Sequence, residues 1–65
     1  MYPNLKAEQA RRNMTNQQVA DYLGICRKTY ENKMKSGKFF VEEIRRLCNF
    51  FNCDYYYLFA TDSQI

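Results

Sequence analysis

The 65-residue sequence contains no histidine. That removes the side chain most often used as a general acid or base near neutral pH, and the commonest metal ligand. The three cysteines, Cys26, Cys48 and Cys53, match no zinc-ligand spacing, so no metal site is expected. Their number is odd and no signal peptide precedes them, which fits free thiols in a reducing compartment. No apolar run approaches the roughly 18 residues of a membrane span, so no membrane partner is expected. There is no Gly-rich phosphate loop and no nucleophile beside a visible base. Catalytic residues, cofactors and small-molecule ligands are therefore not expected, and the chain does not read as an enzyme. No alternating strand of useful length, repeat, low-complexity run or linker is present.

What remains is a single domain, residues 1–65. A chain this short buries only about 60% of the surface it exposes when unfolded. Its content is 46% hydrophobic, with six tyrosines and five phenylalanines, which is enough for a small core. The net charge is +3, but it is unevenly spread. Arg27, Lys28, Lys33, Lys35 and Lys38 against Glu31 give that stretch +4, and the rest of the chain −1. Such asymmetry points to an anionic partner, or more plainly to a solvated helix face.

The pattern predicts an all-α bundle of about five short helices. Met1 to Pro3 reads as a lead-in, with Asn4 capping a helix from Leu5 to Arg12 and Asn13 ending it. Thr15 and Gln18 form a capping box for a second helix that stops at Gly24. Cys26 stands at the cap of a third, Arg27 to Lys35, with Tyr30 and Met34 as its buried stripe. Ser36-Gly37 breaks it. A fourth helix runs from Val41 to Phe51, with Val41, Ile44, Leu47, Cys48 and Phe51 on one face. Asp54 caps a short fifth, Tyr55 to Phe59. Residues 61–65 read as a loose tail. Of Tyr55, Tyr56 and Tyr57, two rings are expected in the core, and Cys48 and Cys53 behave as small hydrophobes there.

The informative unit spans about Thr15 to Ser36. A helix ends in Gly, a short turn follows, and a second helix begins. Ala20 is small where the helices cross, and Ile25 plugs the turn into the core. These are the requirements of a helix-turn-helix. Met14-Thr15-Asn16-Gln17-Gln18-Val19-Ala20 followed by Leu23-Gly24-Ile25, then Ser36-Gly37-Lys38, and then Ile44 through Phe59, resemble in order and spacing the repressor/Cro-type helix-turn-helix family of bacterial and phage regulators. The sequence departs from that pattern at Cys26, where Ser or Thr is usual, at Phe40, where a polar cap is usual, and by one extra residue before Gly37. The ion pair often found between an Arg near Gln9 and a Glu late in the third helix is missing.

The resemblance implies a DNA-binding transcriptional regulator, a repressor of phage or prophage type, working in the bacterial cytoplasm or a phage-infected host cell. It implies that the helix from Arg27 to Lys35 enters the major groove of double-stranded DNA. By position, Arg27, Lys28, Glu31 and Asn32 are the candidate base contacts; Arg suits guanine, Asn adenine and Glu cytosine. Asn16, Gln17, Thr29, Lys33, Lys35 and Lys38 are the candidate phosphate contacts. A homodimer on a two-fold symmetric operator is the expected assembly, with half-sites roughly 34–36 Å apart. The alternative is a protein-interaction module of the same fold, such as an antitoxin, an anti-repressor or a phage adaptor. Its aromatic C-terminal surface would then be the working face and the basic helix incidental. Cys26 could serve as a redox sensor, but with no histidine in the chain it reads as an inert small residue.

Overall fold

Short polar caps and left-handed residues divide the chain into segments. The structure is a computed structural model describing residues 1–61. Residues 62–65 of the expected tail lie outside the described residues. Five helices and no strand are found among the described residues: α1 (Pro3–Arg11), α2 (Asn16–Leu23), α3 (Arg27–Ser36), α4 (Val41–Phe51) and α5 (Tyr55–Leu58). The Cα radius of gyration is 10.8 Å, close to the roughly 11 Å of a compact chain of this length.

Helix α1 begins earlier than the expected Asn4 cap. Pro3 takes the first helical position, where its fixed φ suits a helix and its missing N–H would have no partner anyway. Asn4 instead donates to the Tyr57 carbonyl at 2.8 Å, tying α1 to α5. Nor are the first residues a simple lead-in. The Tyr2 ring packs edge-on against Phe59 at 5.1 Å and tilted against Phe39 at 5.9 Å. Its hydroxyl donates to the Gly37 carbonyl.

The other boundaries follow the expected chemistry. Thr15 Oγ1 accepts from the Gln18 N–H, and Gln18 Oε1 accepts from the Thr15 N–H. Such a cap stabilises a helix by about 1 kcal/mol. Gly24 and Gly37 end α2 and α3 at φ 76 and 78, and Asn52 ends α4 at φ 53. Phe40 has no side-chain acceptor to cap α4. Glu43, one turn in, supplies the remaining half of a capping box by accepting from the Phe40 N–H at 2.9 Å. Asp54 caps α5 through Tyr56 N–H.

The core consists of Leu5, Val19, Ala20, Leu23, Tyr30, Met34, Leu47, Phe51, Leu58 and Phe59. Ala20 is fully buried and lacks the bulk to hold α2 and α3 apart, and these two helices make the most extensive contact in the bundle. The Tyr30 hydroxyl, buried with its ring, donates to Gln9 Oε1 at 2.8 Å. Burial also raises its pKa well above the usual tyrosine value, so it stays a neutral donor.

Two packing expectations are corrected. Tyr55, Tyr56 and Tyr57 are all exposed, at 49%, 81% and 40%. Three consecutive helical positions fan out by about 100° each, and in a one-turn helix Leu58 and Phe59 fill the core first. Val41 is 73% exposed, because the first residue of α4 overhangs the bundle. Ile44 and Cys48 are half-buried; with Cys53 and Tyr55 they line an open groove of about 580 Å³ between α4 and α5.

Candidate nucleic-acid interface

Helix α3 presents two faces. At about 100° per residue, Arg27, Glu31, Lys35, Lys28 and Asn32 share one arc, and Tyr30, Met34 and Lys33 the opposite one. Arg27, Lys28, Asn32 and Lys35 are exposed and Glu31 is half-buried. No side chain among the described residues pairs with Lys28 or Asn32. The three-residue connection 24–26 sets the angle of α3 to α2. Gly24 supplies its positive φ, and Ile25 bonds through its N–H to the Ala20 carbonyl at 3.0 Å.

Glu31 does not stand alone on this face. Its carboxylate accepts from Asn16 Nδ2 at 3.1 Å and lies 3.7 Å from Arg27 Nε. Asn16 in turn accepts at Oδ1 from Gln9 Nε2 at 2.8 Å and from Lys6 Nζ at 3.1 Å. A continuous chain of polar contacts thus runs from Tyr30 through Gln9 and Asn16 to Glu31. It fixes the start of α2 against the middle of α3. Asn16 and Glu31 thus join α2 to α3 in this structure, and Glu31 lies beside Arg27.

Lys33 is set apart from the other expected phosphate contacts. Its ammonium donates to Glu43 Oε1 at 2.9 Å and sits 3.8 Å from the centre of the Phe40 ring. The two side chains of the pair are 12% and 11% exposed. Three positions from Tyr30, it follows the buried stripe and joins α3 to the start of α4. Gln17 is exposed and donates to Asp21 at 2.8 Å. Thr29 is half-buried, its hydroxyl 3.1 Å from Cys26 Sγ. That contact leads the hydrogen bonds that hold the Cys26 thiol below the ordinary cysteine pKa. Lys38 is exposed just past Gly37.

Lys6 belongs with this face although nothing in the sequence marked it. It lines a recess of about 330 Å³ with Met1, Asn16, Glu31, Met34 and Lys35. Its position in α1 looks like ordinary helix composition until the fold places α1 beside the N-terminus of α2. The first N–H groups of α2 lack intrahelical partners; Lys6 bonds to Asn16 at that end, and Lys35 lines the same recess.

No family model, curated protein or solved structure matches the chain.

The charge on the rest of the molecule is largely neutralised locally. Glu8 accepts from Arg11 and Arg12, each at 2.6 Å, and from the Tyr57 hydroxyl at 2.7 Å. Arg12 also donates to the Phe51 carbonyl at 2.9 Å. Glu42 pairs with Arg45 and lies 4.0 Å from Arg46. Among the described residues, no cluster of metal-ligating side chains is found, and no helix is long and apolar enough to cross a membrane.

Proposed function

We propose that the chain is a sequence-specific DNA-binding regulator of the repressor/Cro-like helix-turn-helix type. The observation that carries this reading is the outer face of α3. Arg27, Lys28 and Asn32 project there from a helix braced at its N-terminal half by α2. Helix α3 enters the major groove and its first two turns meet base edges. Arg27 takes guanine bidentately, worth about 1–3 kcal/mol of discrimination, and Asn32 is placed for adenine. Glu31 orients Arg27. Gln17, Thr29, Lys35 and Lys38 contact phosphates, joined by Lys6, with the N-terminus of α2 aimed at the backbone.

The protein acts by occupying an operator and competing for a promoter, as a homodimer on two-fold related half-sites about one helical turn apart. The groove between α4 and α5 is the apolar face available for self-association. The same groove supports a second reading, a protein-interaction module. Its specific support is the exposure of Val41 and Tyr55 on the groove, at 73% and 49%, with Tyr56, 81% exposed, next to it on α5.

Selection of binding sites from random duplexes separates the two. A regulator enriches a two-fold symmetric consensus. An interaction module enriches none.

A further inference from the structure

Cys48 and Cys53 meet at the C-terminal end of α4. The Cys53 N–H bonds to the Cys48 carbonyl at 3.0 Å and the Asn52 N–H to the Asn49 carbonyl at 3.3 Å, with Asn52 left-handed. These two bonds define a Schellman motif, in which the side chains at the positions of Cys48 and Cys53 commonly touch. One 3.0 Å hydrogen bond and about 4 Å of bent covalent path join the two Cα atoms. That keeps them within about 7 Å, inside the reach of a disulfide. Both thiols are reduced, half-buried and open onto the groove between α4 and α5. Burial, then Asp54, then Cys53 itself raise the Cys48 thiol pKa, a further sign that the two sulfurs are neighbours.

We propose that Cys48 and Cys53 form a reversible intramolecular disulfide, and so make a modification site for low-molecular-weight disulfides such as oxidised glutathione. The Cys53 thiolate attacks one glutathione sulfur, forms a mixed disulfide and expels a glutathione thiolate. The Cys48 thiol loses its proton to water, attacks the Cys53 sulfur and expels the second glutathione thiolate. The two protein thiols give up two electrons and two protons, and one oxidised glutathione becomes two reduced ones. The closing step waits on the Cys48 thiolate, so it accelerates as pH rises. The Cys53 thiol gives up its bond to the Phe51 carbonyl in the process. The bridge then pins the turn into α5 and closes the lip of the groove beside Tyr55. Cys26, exposed at the start of α3, lies outside this pair, and its own mixed disulfide is removed from the readout by Cys26→Ser. The inference does not depend on DNA binding.

The test is incubation of the full chain with oxidised glutathione, then an acid quench and intact-mass and non-reducing peptide analysis. The expected product is a monomer lighter by two hydrogens at this pair, with Cys48 linked to Cys53. The bridge persists in Cys26→Ser, forms faster at higher pH, and raises the thermal midpoint by several degrees. Cys48→Ser and Cys53→Ser should each stop at a single mixed disulfide on the remaining partner. Accumulation of mixed disulfides at Cys48 or Cys53 in the unmodified sequence, without the two-hydrogen loss, would overturn the proposal. So would a bridge that lowers the thermal midpoint, because the folded geometry would then oppose it.

Discussion

The Tyr30 hydroxyl donates to Gln9 Oε1 across 2.8 Å in the interior, and this bond ties α3 to α1. Gln9 spends its amide on the Met14 carbonyl and Asn16 Oδ1, so Tyr30 is the donor that satisfies its oxygen. Tyr30→Phe keeps the ring and removes the donor. A buried acceptor left without a partner costs about 1–3 kcal/mol. Urea denaturation should show that loss through a lower midpoint with an unchanged slope. A midpoint unchanged from the parent chain would mean that water or another donor takes over.

Lys33 and Lys28 make opposite predictions although the sequence places both in the same basic stretch. Lys33→Ala leaves Glu43 without its cation and strips the contact over Phe40. It should lower stability by roughly 1–3 kcal/mol. Lys28→Ala should leave stability within about 0.5 kcal/mol and weaken DNA binding. Denaturation and gel shift on the same two proteins check this. Equal stability loss in both would show that the inward position of Lys33 is not what holds α3 to α4.

Much of the fold was legible. Thr15, Gln18, Gly24, Gly37, Asn52 and Asp54 act locally, through their own backbone or a neighbour a few residues away, so sequence alone placed α2 to α5. Less of the candidate site was legible. Lys33 follows Tyr30 by three positions, a spacing that turns it inward, whereas its charge within a basic segment reads as a solvated residue. The roles of Lys6, Asn16 and Glu31 come from contacts between α1, α2 and α3, which no local rule supplies. The tyrosines of α5 were misplaced because hydrophobicity says that a ring is worth burying, not whether a one-turn helix has room for it.

Glu8 links acidity to stability. Hydrogen bonds from Tyr57 and Arg12, aided by the charges of both arginines, hold its carboxyl below the ordinary glutamate value of 4.5. The contribution is therefore fully present above that value and drains away as pH falls through the lowered folded one. Glu8→Gln lacks it at every pH. Thermal midpoints of the two proteins should differ near neutrality and converge as the pH falls through the lowered folded value. A gap that stays constant would remove Glu8 ionisation from the account.

Gly24 and Gly37 share a positive φ but not a neighbourhood. A Cβ on Gly24 would meet nothing within 4 Å, whereas one on Gly37 would lie 2.7 Å from Met1 Sδ and 3.0 Å from the Tyr2 hydroxyl. Gly24→Ala should cost about 1–2 kcal/mol of left-handed strain. Gly37→Ala should cost that and about 1 kcal/mol more as the Tyr2 bond is disturbed. Calorimetry of the pair reads the difference. Equal losses would mean that the Tyr2 ring shifts without resistance.

The most direct test of DNA recognition by α3 is a salt titration of binding to a selected duplex, with Arg27→Ala beside the parent chain. Each phosphate neutralised contributes about −0.9 to the slope of log affinity against log salt. Lys6, Lys35 and Lys38 together predict a slope of at least about −2.7 per protomer. Arg27→Ala should also relax preference at one base position, while Lys38→Ala weakens all duplexes alike. Affinity that is flat with salt, or absent across duplexes, would contradict the account.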